Sequence, residues 1–254
     1  MTDPTPPVEA TTAHGAAFTF RERLRELFAS SPLPPDDLMF NLGLYVRSSL
    51  LVKFLVLNDL YLRFTSVPGV LVEFGTWWGQ NLVLLENLRA IHEPFNKQRT
   101  IIGFDTFAGY SPAAAMPPEA TATHGGYHTS EGYRDALAEL LEVHEGNNAF
   151  GHLRGRHQLI QGRVEETAPR YFADHPATLV AFASFDIGPY EPTIAALRAI
   201  RPHLVPGSVL LFDELTWPGA PGEAIAFKEV FGGDAAYGVE KCQLYPSKSI
   251  VTLR

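Results

Sequence analysis

Cysteine is all but missing from this chain: Cys242 is the single one among 254 residues. A lone thiol excludes an intramolecular disulfide and a cysteine-rich zinc site. Positive charge is also scarce. The 20 Lys and Arg against 28 Asp and Glu leave a formal net charge of −8. With no Lys/Arg cluster interleaved with aromatics, that balance argues against a broad polyanion-binding surface, and no nucleic-acid partner is expected. No apolar stretch is long and uncharged enough to span a membrane, so no membrane partner is expected either. The amino terminus "MTDPTPPVEATTAHG" lacks the basic start and apolar centre of a signal peptide. These absences lead us to expect a soluble, cytoplasmic protein. Internal repeats are lacking too, and low complexity is confined to the Pro/Thr-rich tail.

What is present suffices for a full-sized core, since 46% of the residues are hydrophobic. One large α/β domain with an appendage is the natural reading. Residues 1–17 read as a disordered tail and 18–66 as a helical extension. Within it, "FRERLRELFAS" has apolar positions at helical spacing, and the stretch Ser30 to Pro35 breaks the pattern. From Asp36 to Phe64 a second helical stretch is expected, by its length and acidic start. Its apolar content exceeds that of a lone surface helix, so the main domain or a second subunit must cover it. A homo-oligomer is expected on that ground.

Residues 67–254 alternate between strands and helices. The strands are "GVLVEFG", "RTIIGFD", "HQLIQG", "ATLVAFASFD" and "GSVLLFD". Helices "QNLVLLENLRAIHE", "YRDALAELLEVHE", "PTIAALRAIRPHL" and "GEAIAFKEVF" lie among them, and "GVEKCQLY" with "SKSIVTLR" reads as a closing hairpin. Such alternation predicts a mostly parallel sheet covered on both faces. From Thr106 to about Tyr133 the sequence is aperiodic and Pro-rich, and it contains "HGGYH".

Ligands of open α/β sheets bind outside the carboxyl ends of the strands. Four strand ends here carry acids: Glu73, Asp105, Asp186, and the pair Asp213-Glu214. Any one of them is equally well read as a helix cap. Four at one edge repel one another unless a cation or hydrogen-bond donors compensate, which marks that edge as a site. The first turn reads E-x-G-x-x-x-G (Glu73, Gly75, Gly79), and Trp77 stands where a dinucleotide fingerprint needs its second glycine. This suits a nucleoside cofactor without a pyrophosphate. Asp105, ending the second strand, can accept hydrogen bonds from ribose hydroxyls of NAD or S-adenosylmethionine alike.

The stretches "PGVLVEFGTWWGQN", "IIGFDTFAGY", "FDIGPYEPTIAALRAIRPHLVPGSVLLFDEL" and "PGEAIAF" resemble the macrocin O-methyltransferase family. The resemblance runs from about Pro68 to the C-terminus and more loosely over the preceding helices. It implies a Rossmann-like class I methyltransferase sheet, mostly parallel with an antiparallel C-terminal strand, behind an N-terminal helical extension. It also implies transfer of a methyl group from S-adenosylmethionine to a sugar hydroxyl of a glycosylated natural product. Within the family the chain most resembles enzymes of actinobacterial glycosides, with a rhamnose of a calicheamicin-type enediyne as the implied acceptor.

The same resemblance assigns residues. Glu73, Gly75, Thr76 and Gly79 line the methionine end of the cofactor, with Asn81 near its carboxylate, and Phe74, Trp77 and Asp186 belong to the same cofactor-binding set. Asp105 holds the ribose, Thr106 and Phe107 flank the adenosine, and Gly162 and Arg163 border the adenine. Asp186, Asp213 and Glu214 stand where relatives bind a divalent metal, and oxygen ligands of this kind suit Mg²⁺. Two departures weaken the metal assignment: the family's Asp-x-Asp-x-Tyr has Gly188 as its third residue here, and Asp213 is followed by Glu rather than Asp.

Asp186 is the first candidate for the base that activates the hydroxyl. His124, His128 and His144 are alternatives from the aperiodic segment or beside it, and each is as readily an ordinary surface residue. Trp77 and Trp78 sit where a sulfonium and a sugar would meet. One of the two is expected to pack beneath the first helix of the domain, while Trp217 is placed to wall the acceptor site. A nicotinamide oxidoreductase and a non-catalytic scaffold on the same fold remain as alternatives, the second because of Gly188.

Overall fold

In the computed structural model, residues 16–109, 127–148, 156–233 and 236–254 are described. Seven strands form one sheet: β1 (Val70–Phe74), β2 (Ile101–Asp105), β3 (Gln158–Gln161), β4 (Val180–Phe185), β5 (Leu204–Phe212), β6 (Tyr237–Lys241) and β7 (Ser249–Leu253). Their order is β3-β2-β1-β4-β5-β7-β6. Pairing is parallel from β3 through to β5. β7 runs antiparallel to both of its neighbours. The chain first builds outward from β1 to β3 and then returns to place β4 on the other side of β1. That reversal opens a crevice above the carboxyl ends of β1 and β4.

Among the described residues eight α-helices accompany the sheet: α1 (Ala16–Ala29), α2 (Pro35–Phe40), α3 (Ser48–Phe64), α4 (Gln80–His92), α5 (Tyr133–Asn148), α6 (Val164–Asp174), α7 (Tyr190–Ile200) and α8 (Gly222–Phe231). The central strands are apolar throughout because both faces are covered. On one face Val72, Phe74, Ile102, Phe104, Leu210 and Phe212 pack against α6, α7 and α8. On the other, Leu71, Ile101, Phe182, Val209 and Leu211 pack against α3, α4 and α5. α3 supplies Leu60, Tyr61 and Phe64 to this second cluster, so the last helix of the N-terminal extension is a wall of the domain core. None of the helices among the described residues is long and apolar enough to cross a membrane.

One row of the sheet bears directly on the site. Phe104, Phe74, Phe185 and Phe212 stand side by side across β2, β1, β4 and β5, paired in register. Their rings stack with centroids 5.0, 5.2 and 4.7 Å apart. The residue after each phenylalanine is Asp105, Gly75, Asp186 or Asp213. A buried aromatic row therefore fixes the height at which the rim residues emerge.

The segment from Asp36 to Phe64 departs from the expected single helical stretch. α2 stops at Phe40, a 3₁₀ turn covers Leu42–Tyr45, and Arg47 is extended before α3 starts. Asn41 ends α2 by donating its side-chain amide and backbone N–H to the Asp37 carbonyl, a local bond that competes with helix continuation. β5 begins at Leu204, earlier than its apolar run suggests, and passes Gly207 at φ +89°. An irregularity in the β4–β5 register accommodates that bend.

Candidate active site

The ladder of the sheet continues into the rim. Gly75 donates its N–H to the Phe104 carbonyl, Asp186 to that of Phe74, and Asp213 to that of Phe185. Gly75 has φ +87°, and a Cβ there would lie 2.2 Å from the Asp186 carbonyl oxygen. Only glycine lets the ends of β1 and β4 approach this closely. Trp77 takes φ +47° in the same turn, a costly conformation for a bulky residue. It is held there in part by Asp105, whose Oδ2 accepts the Trp77 N–H at 2.8 Å while Oδ1 accepts the Phe107 N–H at 2.7 Å. Both carboxylate oxygens keep lone pairs for further donors.

Beside this turn lies a cavity of about 260 Å³. Gly75, Trp77, Asp105 and Thr106 line it together with Arg163, Asp186, Ile187, Pro189 and Tyr127. Six sequence-predicted cofactor residues thus meet at one cavity: Gly75, Trp77, Asp105, Thr106, Arg163 and Asp186. The other seven are not among its lining residues. Phe74 and Phe107 are buried in the two hydrophobic clusters, and Thr76 is buried too. Gly79, at φ +70°, caps α4 against Leu137. Gly162 joins the ladder by donating to the Asp105 carbonyl.

Glu73 is buried and accepts a 2.6 Å hydrogen bond from the Asn81 amide, while its Oε2 has no partner. Desolvation pushes its carboxyl up to about 8; the Asn81 bond opposes this, and Asp186 and Asp105 add to it. Glu73 is therefore mostly a neutral acid at pH 7, and Asn81 is tied to it.

The acids at the ends of β4 and β5 converge as expected. Asp186 faces the cavity and shares a side-chain hydrogen bond with Asp213. Although Asp186 is exposed at the surface, desolvation by the protein packed around it, then the neighbouring Asp213, raise its carboxyl to about 6, against the pull of Lys248 and Lys53. Desolvation, then Asp213 and Asp186, lift Glu214 to about 7. Beneath them Glu223, at the start of α8, is fully buried and accepts the Glu214 N–H at 2.8 Å. Desolvation carries its carboxyl up to about 9. Tyr127 faces the same acids, and burial followed by Asp186, Glu214 and Asp213 pushes its phenol up to about 12.

The acid cluster does not fit a divalent metal as it stands. Lys248 forms an ion pair with Asp213. Among the described residues no three His, Cys, Asp or Glu side chains are grouped so as to hold an ion. The expected ligand set of Asp186, Asp213 and Glu214 is thus present as neighbours, with a lysine ammonium among them.

Of the histidines, His128 is exposed and bridges Ala108 next to cavity-lining Gly109. His144 is not brought to the rim. It precedes Glu145, which accepts the Arg156 N–H toward the amino edge of the sheet, because α5 runs away from the cavity. His124 lies outside the described residues. Neither tryptophan packs beneath α4, contrary to expectation. Both are part-exposed; Trp77 meets Tyr127 edge-on at 5.4 Å and Trp78 meets Tyr133 at 4.6 Å. Trp217 stands in an exposed turn and packs on Gly219, away from the cavity lining. Tyr127, Lys248 and Glu223 escaped the sequence reading. A glutamate in a helix's first turn reads as an ordinary acidic start, and a lysine in a hairpin gives no signal of its partner.

Known proteins share the sequence and the fold. The model of the macrocin-O-methyltransferase (TylF) family matches residues 61–230. CalS11, a calicheamicin methyltransferase, is 38% identical in its crystal structure, with a TM-score of 0.87 over 99% of this chain and 98% of that one. An apo structure of CalS11, described as a TDP-rhamnose 3′-O-methyltransferase, is 37% identical with a TM-score of 0.82 over 96% of this chain and 98% of that one. A Streptomyces olivaceus 4′-O-methyltransferase acting on 8-demethyl-8-(2,3-dimethoxy-α-L-rhamnosyl)-tetracenomycin C is 27% identical over 150 residues. That match covers 59% of this chain and 54% of the relative, about half its length.

Proposed function

Because this chain belongs to the macrocin-O-methyltransferase family, we propose that it is an S-adenosylmethionine-dependent O-methyltransferase acting on a deoxysugar hydroxyl in antibiotic biosynthesis. The observation that carries the reading is that Asp105, Gly75 and Asp186 line one and the same cavity. Asp105 keeps free lone pairs for ribose hydroxyls. Arg163 and Val164 border the adenine end, and Gly75 lets the methionine end approach the backbone. The part-exposed Trp77 face favours a cation. Two relatives act on rhamnose or a rhamnosyl group by their names, and we take a rhamnose as the acceptor sugar here.

S-adenosylmethionine supplies an electrophilic methyl group on a sulfonium centre. The protein's part is alignment and proton removal, since in-line displacement gains most from holding the hydroxyl close. Asp186 takes the hydroxyl proton. Its raised value of about 6 leaves it mostly ionised at pH 7 yet more basic than an ordinary carboxylate. The cavity offers the adenosine end no diphosphate-sized glycine loop, because Trp77 occupies that place, and this disfavours a dinucleotide.

The test is calorimetric and kinetic. S-adenosylhomocysteine should bind in the micromolar range and NAD(P) should not. Incubation with S-adenosylmethionine and either TDP-rhamnose or a rhamnosyl glycoside should release S-adenosylhomocysteine. Asp186→Asn should lower kcat by about 10²-fold or more while S-adenosylhomocysteine still binds. Preference for NAD(P), or turnover unchanged in Asp186→Asn, would refute the assignment.

A further inference from the structure

The acid pair at the rim carries a cation of its own, and the fold holds that cation in place. β7 pairs with β5 so that Ser249 faces Phe212, which sets Lys248 directly beside Asp213. The Lys248 backbone is fixed on both sides: its carbonyl accepts the Cys242 N–H at 2.9 Å, and its N–H reaches the Tyr245 carbonyl at 2.9 Å. The side chain is 14% exposed and its ammonium stands 5.2 Å from the Tyr245 ring centroid. From there it pairs with Asp213 and acts on Asp186 and Glu214 as well. The Glu214 Oε2 beside this pair is buried with no hydrogen-bond partner.

We propose that Lys248 and a divalent cation are alternative occupants of the Asp186–Asp213 pair, so that Lys248 must leave Asp213 before an ion can coordinate there. Two features of the chain point the same way. Gly188 removes the further carboxylate that the family pattern places after Asp186, and Glu214 takes the place of an aspartate after Asp213. An ammonium embedded in the cluster supplies at Asp213 the positive charge that a metal would otherwise bring. This inference takes Asp186 and Asp213 as the working carboxylates of the proposed site. Its test reads ion binding alone, so it can fail while the methyltransferase reading stands.

Mn²⁺ is titrated into the full chain, with free ion followed by electron paramagnetic resonance. Lys248→Met should bind Mn²⁺ at least about tenfold more tightly than the wild type, because removing a unit charge a few ångströms from a dication is worth at least that much. Lys248→Arg should stay within about threefold of the wild type. Lys248→Gln serves in place of Met if the apolar variant loses its cooperative melt. An unchanged or weaker affinity in the neutral variant overturns the proposal, and so does an Arg variant that binds as tightly as the neutral one.

Discussion

At the scale of single residues, the buried carboxyls pull stability in opposite directions with pH. Glu223 is raised to about 9 in the fold, against about 4.3 in an unfolded chain. Between those values the folded state holds the extra proton, so stability falls as pH rises through the window. Glu73, at about 8, acts in the same sense. Glu86 does the reverse. Burial alone would raise it, but hydrogen bonds from Arg89 and His157 outweigh that and hold it at about 2. Its contribution is complete above the unfolded value and is lost as pH falls toward 2. The urea midpoint of the wild type should therefore decline from pH 6 to pH 9. Glu223→Gln, which keeps an acceptor for the Glu214 N–H, should flatten that decline; parallel profiles would show that Glu223 does not carry its proton in the fold. Asp186 belongs to the same scale but to function. Its value of about 6 predicts that kcat/KM drops about tenfold per pH unit below 6, measured on S-adenosylhomocysteine release.

At the scale of elements, the rim depends on close contact between the turns after β1 and β4. Gly75→Ala places a Cβ 2.2 Å from the Asp186 carbonyl oxygen at φ +87°, and strain with overpacking should cost about 3 kcal/mol or more. Gly132 has a similar φ of +76°, but a Cβ added there would meet nothing within 4 Å, so Gly132→Ala should cost only about 1 kcal/mol. Urea unfolding of the two variants separates contact from conformation, and equal losses would mean that the β1–β4 approach is not tight. The same elements show why much of the site was legible. Strands buried on both faces are written as apolar runs, and their ends were readable as Phe-Asp or Phe-Gly steps. Those steps turned out to be the stacked phenylalanine row and the cavity rim. The N-terminal break at Asn41 was not legible, because a single side-chain bond decides it. Nor was Lys248, whose partner lies 35 residues earlier in the chain and is reached only through the β5–β7 register.

At the scale of the whole molecule, the N-terminal segment divides into a part the core claims and a part it leaves uncovered. α3 is stitched to the domain through Arg99, which pairs with Glu93 and donates to the carbonyls of Val67 and Gly69 at 2.8 Å each. Tyr61 of α3 donates to the same Glu93 at 2.6 Å. Upstream, apolar side chains point to solvent: Phe40 is 92% exposed, and Phe20, Met39 and Leu44 are exposed as well. Among the described residues nothing covers this apolar series, and a series of this kind marks a surface to be buried. A second copy of the chain is the occupant we propose, and apolar contact there must outweigh the repulsion between two copies that each carry a net charge of −8. Light scattering should then give a mass of at least twice 28.0 kDa. Phe40→Asp combined with Leu44→Asp should shift it toward the monomer. Neither residue lines the cavity, so S-adenosylhomocysteine affinity in the double variant should stay within about threefold of the wild type, a change of under roughly 0.7 kcal/mol. A wild-type monomer at micromolar concentration would show instead that the exposed stretch folds back on its own domain.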